Sequence, residues 1–334
     1  MKNIIFTLFL FSIKMGFSQN TETQIINELG YSKIALIIKK DTINFLIHKT
    51  DGITAKPTLL FIQGSLPIPI VFHDELNTRT LLPFKVEDFQ DQFNFVIIAR
   101  KGIPLIGTYG KDEGGYKNET GDVPLEYEKN NNLKYRVWQA QEVLNYLYKQ
   151  KWVEKRKIFV VGHSEGYRVA AKLSEYNKKI AKLVCMSADP FNRITEGILR
   201  ERVTSFSQNN DSISQSYIEN DINNFKKIPT DIEQYKHDFS IYNWYSYNKE
   251  LCFKSFSKFK NPILIVYGTN DIPATHNDLL PFLLPKSDIT LKIYPDFDHN
   301  YFKKEFDKTG KSLEDSYNWD TVFKDVTNWL LLKK

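Results

Sequence analysis

Ser164 stands between two glycines in Gly162-His163-Ser164-Glu165-Gly166, directly after the apolar run Ile158 to Val161 and before Val169, Ala170 and Leu173 at the spacing of one helix face. The chain there reads strand, very short turn, helix. A turn that tight holds one residue in a strained backbone conformation, which needs neighbours with almost no side chain, and Gly162 and Gly166 supply them. Ser164 is thereby held out at the carboxyl edge of a strand and beside the amino end of a helix, where unpaired N–H groups favour developing negative charge. A serine hydroxyl is a weak nucleophile at neutral pH. Chemistry at Ser164 therefore demands a base and an orienting carboxylate from elsewhere in the chain.

The G-x-S-x-G spacing in a strand-turn-helix setting resembles the nucleophile elbow of the α/β-hydrolase family, and that resemblance implies the chain order Ser, then Asp or Glu, then His. Three histidines follow Ser164. His299 lies in a polar loop after the alternating run Ile289 to Tyr294; His237 sits in a polar, helix-like segment, and His276 follows the candidate acid too closely to belong to a later strand. His299 is the expected base. The buried-strand pattern Ile263 to Tyr267 opens into Gly-Thr-Asn-Asp, similar to the family's acid-bearing loop, and places the acid at Asp271. Its rival is Asp189, at the end of the run Ala181–Met186, because some family members carry the acid one strand earlier. Asp296 and Asp298, beside the histidine, read as loop-capping or solvated carboxylates. The family's oxyanion hole needs two backbone amides, which the resemblance assigns to Glu165, after the nucleophile, and to Ser65 in Gln63-Gly64-Ser65, where relatives commonly have His-Gly.

These motifs span roughly residues 55 to 330, each at a strand end. Between them "FNFVIIARKGIPL" (93–105) predicts a strand, "KYRVWQAQEVLNYLYKQ" (134–150) an amphipathic helix with Val137, Ala140, Val143, Leu144 and Leu147 inward, and "SYNWDTVFKDVTNWLLL" (316–332) a closing helix. Alternating β and α elements predict a mostly parallel central sheet covered by helices on both faces, the α/β class. The stretch 33–49 alternates apolar and polar residues and predicts an antiparallel hairpin at the sheet edge. After Pro190 the alternation stops, and about 190–259 has helical spacing without a strand. In the family an insertion there often forms a helical cap; Trp244, Tyr245 and Tyr247 could line its pocket, but the favoured reading of each is that it packs the cap onto the body.

At 334 residues and 42% hydrophobic, with no linker or repeat, the chain can bury one large core. The formal charge is +5, and removal of residues 1–18, which carry Lys2 and Lys14, leaves +3 with both signs interspersed. That balance argues against nucleic acid as a partner. The first residues, "MKNIIFTLFLFSIKMGFSQN", have a basic Lys2, an apolar run from Ile4 to Ile13, and Gly16 and Ser18 where a signal peptidase reads. They predict a signal peptide over 1–18, a mature domain over 19–334, and export to the periplasm or medium. The apolar run is too short to span a bilayer, so no integral membrane span is expected after removal of the signal. Cys185 and Cys252 read as buried core thiols rather than a disulfide. No His/Cys/Asp cluster has metal-ligand spacing, and no cofactor is expected.

The favoured reading is a serine hydrolase cleaving carboxylic esters, with a small ester or a short peptide as partner. A serine peptidase on the same fold is the alternative, and an aminopeptidase would need a carboxylate such as Glu201, Glu219, Asp221 or Glu233 to hold the substrate ammonium. A non-catalytic binding protein is disfavoured because all three triad residue types are present.

Overall fold

The computed structural model describes residues 21–49, 54–208, 211–228, 238–285, 287–309, 311 and 313–332. Eight strands form one sheet: β1 (Tyr31–Ile38), β2 (Asp41–His48), β3 (Lys56–Ile62), β4 (Asn94–Ile98), β5 (Val153–His163), β6 (Lys182–Met186), β7 (Ile263–Gly268) and β8 (Ile289–Tyr294). Their spatial order is β1-β2-β4-β3-β5-β6-β7-β8. β2 runs antiparallel to both β1 and β4, and every other pairing is parallel. Parallel neighbours need crossovers, and these are mostly helical: α1 (Leu125–Asn130) and α2 (Leu133–Leu147) precede β5, and α3 (Glu165–Tyr176) joins β5 to β6. The fold is the α/β arrangement expected.

The middles of the central strands, Leu59–Ile62, Phe95–Ile98, Ile158–Val161 and Leu183–Met186, are apolar toward both faces because each face of the sheet is covered. Leu60, Ile62, Ile158 and Val160 point to the side of α2 and α3. Leu59, Phe61, Phe159 and Val161 point to the other side, where α8 (Trp319–Leu331) buries Val322, Phe323, Val326 and Leu330. Burying a side chain of that size stabilises by roughly 1.5–3 kcal/mol. Phe323 stacks on Phe84 with ring centroids 3.4 Å apart, which clamps the 81–89 segment under that helix.

The elements differ from the sequence reading at their ends. The strand predicted over 93–105 stops at Ile98, because the chain turns at Arg100–Ile103 through Gly102, whose φ is +79°. The strand before Ser164 is longer than the run 158–161 and starts at Val153. The closing helix begins at Trp319, and Ser316–Tyr317 instead pairs with Phe302–Lys303. Between β6 and β7 stand α4 (Arg193–Gln208), α5 (Asp211–Lys227), α6 (Phe239–Asn248) and the short α7 (Cys252–Phe256). α4 packs on α5 and on the 3-10 turn Ile272–Leu279, and α6 reaches back to α1 and α2. Residues 1–20 and 229–237, which include the expected signal peptide, Glu233 and His237, lie outside the described residues.

Candidate active site

Register decides what meets what. Ile62 pairs with Gly162 and His163 with Met186, so the chain leaves β3, β5 and β6 at one level, and β7 and β8 end beside them. Ser164 is the residue between β5 and α3, with φ 56° and ψ −124°. Such a conformation costs a non-glycine residue of order 1–3 kcal/mol. The surroundings enforce it: a Cβ on Gly166 would collide with the Ile62 carbonyl, and one on Gly162 with the Gly166 carbonyl. The Ser164 amide is fixed by the Met186 carbonyl at 2.9 Å.

His299 Nε2 lies 3.0 Å from Ser164 Oγ. His299 Nδ1 lies 2.7 Å from Asp271 Oδ2. A carboxylate oxygen only accepts, so Nδ1 carries the proton, and in the neutral ring Nε2 is left to accept from the Ser164 hydroxyl. The Asp271 side chain is 2% exposed, and its Oδ1 lies 3.6 Å from the half-exposed Arg200 guanidinium on α4. Beside the serine, a Cβ on Gly64 would stand 3.2 Å from Ser164 Cβ, so this loop can come so close only with glycine there. Among the described residues neither the Ser65 nor the Glu165 amide finds an acceptor. Glu165 opens α3, where the first N–H groups have no intrahelical partner.

The other expectations end elsewhere. Asp189 accepts from His276 Nδ1 at 2.5 Å and from the Phe191 amide at 2.6 Å, and it does not reach His299. Burial raises the Asp189 carboxyl above the ordinary range despite those donors. Asp298 accepts from the amides of Asn300 and Phe302, capping the turn that carries His299. A cavity of about 350 Å³ opens at Ser164 and His299, walled by Phe61, Leu66, Ile68, Leu81, Pro83 and Trp319. Among the described residues none of 190–259 lines it, so Trp244, Tyr245 and Tyr247 follow the packing reading rather than the pocket one. Trp244 faces a separate cavity with Asp221 and Ile228, Tyr245 lies near Phe225, and Tyr247 is buried. Trp244 and Tyr245 lie against Phe225 within the insertion, and Tyr247 joins the core beside α2 and α3. Glu201 and Glu219 are also absent from the lining.

His163 is a functional neighbour that the sequence reading did not single out. Its Nε2–H donates to the His299 carbonyl at 3.0 Å, and its ring meets Trp319 edge-on at 4.9 Å. Burial first, then the nearby His299, push its pKa down to about 3, so the ring stays neutral and keeps donating. Its place between Gly162 and Ser164 was the available signal. Cys185 and Cys252 are both buried and free. Among the described residues no three His, Cys, Asp or Glu side chains gather where they could hold a metal ion, and no helix is long and apolar enough to cross a membrane.

The strand order, the strained serine between β5 and α3, and the histidine after β8 together define an α/β-hydrolase fold. Within it, residues 140–275 match the family described as BAAT / Acyl-CoA thioester hydrolase C terminal. Among solved structures, the Porphyromonas gingivalis dipeptidyl peptidase 4 is similar with a TM-score of 0.55 and 12% identity, over 90% of this chain and 35% of that one. A Mycobacterium tuberculosis puromycin-hydrolyzing peptidase is similar with a TM-score of 0.52 and 10% identity, over 81% of this chain and 36% of that one. An acylaminoacyl peptidase in complex with Z-Gly-Gly-Phe-chloromethyl ketone gives 0.51 and 10%, over 80% and 37%. This chain thus spans little more than a third of those proteins' length. No curated protein matches the sequence.

Proposed function

We propose that the protein is a serine hydrolase that transfers an acyl group from a carboxylic ester to water. The observation that carries this is the continuous hydrogen-bonded line from Asp271 through His299 to Ser164, opening on a cavity lined by both apolar and polar side chains. Ser164 Oγ attacks the ester carbonyl while His299 Nε2 takes its proton, and Asp271 holds the imidazole and offsets the charge it gains. The Ser65 and Glu165 amides receive the oxyanion. Collapse of the tetrahedral intermediate expels the alcohol, which takes the proton back from His299 and leaves an acyl-Ser164 ester. Water, deprotonated by His299, then attacks that ester and releases the acid.

The cavity narrows the substrate. Its volume is about a dozen times the ~30 Å³ that one water occupies, and among the described residues its wall carries no carboxylate. A short or medium uncharged acyl group fits that lining, and among the described residues a substrate ammonium finds no counter-charge there. The match to a thioester hydrolase family supports acyl transfer in general, since a thioester reacts by the same steps. A peptidase is the second reading, favoured by the folds of the dipeptidyl and acylaminoacyl peptidases. Expelling an amine demands tighter placement of His299 than expelling an alkoxide or phenoxide. Short-chain p-nitrophenyl esters should be hydrolysed faster than long-chain ones, and aminoacyl p-nitroanilides much slower. Anilides turned over faster than the short esters would replace the esterase reading with the peptidase one. The signal-like residues 1–18 support export, for which the mature amino terminus should be Gln19. Edman or mass-spectrometric recovery of intact Met1 from the soluble cytoplasm would contradict it.

A further inference from the structure

Two buried arginines reach both loops that supply the oxyanion amides, and one of them, Arg136, holds both through short hydrogen bonds that the reaction as written does not use. Arg136 lies on α2, 5% exposed. Its NH1 donates to Glu165 Oε1 at 2.8 Å and its NH2 to the Gln63 carbonyl at 2.6 Å. Glu165 carries one of the two amides, and Gln63 lies two residues before Ser65, which carries the other. The far side of the same loop is held as well: Gln63 Nε2 donates to the Ile98 carbonyl at 2.9 Å, and the Ser65 carbonyl accepts from Tyr127 Oη and, at 3.4 Å, from Arg100.

Stability alone is a poor account of this arrangement. A buried ion pair loses most of its attraction to desolvation, and an apolar pair of the same volume often serves the fold equally well. A guanidinium does offer what no apolar group can: two donors in a rigid plane, at a fixed separation, able to hold two acceptors from different chain segments at once. We infer that Arg136 is the positioning residue of the oxyanion hole, a bridge that sets the distance between the 63–65 loop and the first turn of α3 so that the Ser65 and Glu165 amides converge on one oxygen. This rests on the serine-hydrolase reading. Two other arginines approach Glu165: Arg193 on α4, at 3.2 Å from Oε2, is half-exposed and does not touch the 63–65 loop, and buried Arg100 meets both sides only at long range, 3.8 Å from Oε1 and 3.4 Å from the Ser65 carbonyl.

The test is the double variant Arg136→Met/Glu165→Met, which keeps buried volume, removes the Arg136–Glu165 pair, leaves Arg100 its Ser65, Tyr127 and Asn131 acceptors, and leaves the Glu165-position amide in place. Misplacement of a catalytic donor by about 1 Å costs on the order of 10²-fold. The variant should keep its fold by circular dichroism, lose about 10²-fold in kcat on a short p-nitrophenyl ester with KM within about threefold, and keep the wild-type midpoint in its pH profile. Its affinity for phenylboronic acid, which makes a tetrahedral adduct on the serine, should weaken by the same factor as kcat/KM. A folded double variant with wild-type kcat, or with boronate affinity unchanged while kcat falls, would overturn the inference. If the double variant does not fold, Arg136→Lys decides, because a lysine reaches either acceptor but not both: the same kcat and boronate losses support the bridge, and wild-type values refute it. Absence of any turnover and of any fluorophosphonate adduct in the wild-type protein is a separate result, and it removes the serine-hydrolase reading and this inference with it.

Discussion

Two Asp–His pairs stand on neighbouring loops at one edge of the sheet, Asp271–His299 after β7 and β8 and Asp189–His276 after β6 and β7. Their local chemistry is nearly the same. Both carboxylates are buried, at 2% and 0% side-chain exposure, and both imidazoles are about one-third exposed, at 33% and 29%. Each pair joins Oδ2 to Nδ1. The difference is what lies beyond the ring: His299 Nε2 meets Ser164 Oγ at 3.0 Å, whereas Asp189 spends its other oxygen on the Phe191 amide and the Thr195 hydroxyl. The Asp189 pair also backs onto Arg168, which donates to the Asp189 carbonyl, lies 3.9 Å from Cys252 Sγ and pairs with Glu196. An Asp–His contact is thus a common way to tie two loops. The strand ends decide which of them faces a nucleophile.

The comparison breaks most sharply under substitution of the acids. Asp271→Asn should lower kcat about 10⁴-fold, because the amide holds His299 in the wrong tautomer. Asp189→Asn should keep kcat/KM within about tenfold and instead lower unfolding free energy by about 1–3 kcal/mol, the usual cost of a buried polar group that loses its partners. Chemical denaturation beside ester kinetics separates the two. A 10⁴-fold loss in the Asp189 variant with Asp271→Asn active would exchange their roles.

Much of the first pair is legible in the sequence and little of its surroundings is. Ser164, Asp271 and His299 each follow a strand-like run and a loop of polar residues, and strand ends in a parallel sheet gather at one edge, so the pattern brings them together before any coordinates. Asp189 satisfies the same description, and only register excludes it. The cavity wall is illegible for another reason: Leu66, Leu81 and Trp319 are separated by up to 253 positions and read individually as core or loop. In residues 190–259 a run of aromatics is compatible in sequence with either a pocket lining or cap packing, and periodicity alone does not choose between them. Tyr247 is turned inward, and the neighbouring Ser246 hydroxyl oxygen accepts from the Leu133 amide of α2 at 3.0 Å. Arg136 left a usable signal, a charged residue on the apolar stripe of Leu133, Val137, Ala140 and Val143, where only a partnered charge can be buried.

A smaller effect sharpens the comparison at His163, the ring behind His299. An unfolded histidine titrates near ~6.5 and the folded His163 near about 3, so between those values the unfolded state binds the extra proton. Stability from this group is complete above the unfolded value and is lost as pH falls toward the folded one. His163→Gln should therefore flatten the pH dependence of unfolding free energy by up to about 1.4 kcal/mol per pH unit in that window, relative to wild type. An identical slope in the two proteins would show that the ring is not held neutral.

The central claim is that Ser164 is a nucleophile made reactive by the Asp271–His299 pair. Its most direct test is to treat the purified protein with a fluorophosphonate and locate the adduct by peptide mass spectrometry. The wild type should carry one phosphonyl group on the peptide containing Ser164, and Ser164→Ala, folded by circular dichroism, should carry none. Equal labelling of both proteins, or no labelling of a folded wild type, would contradict the account.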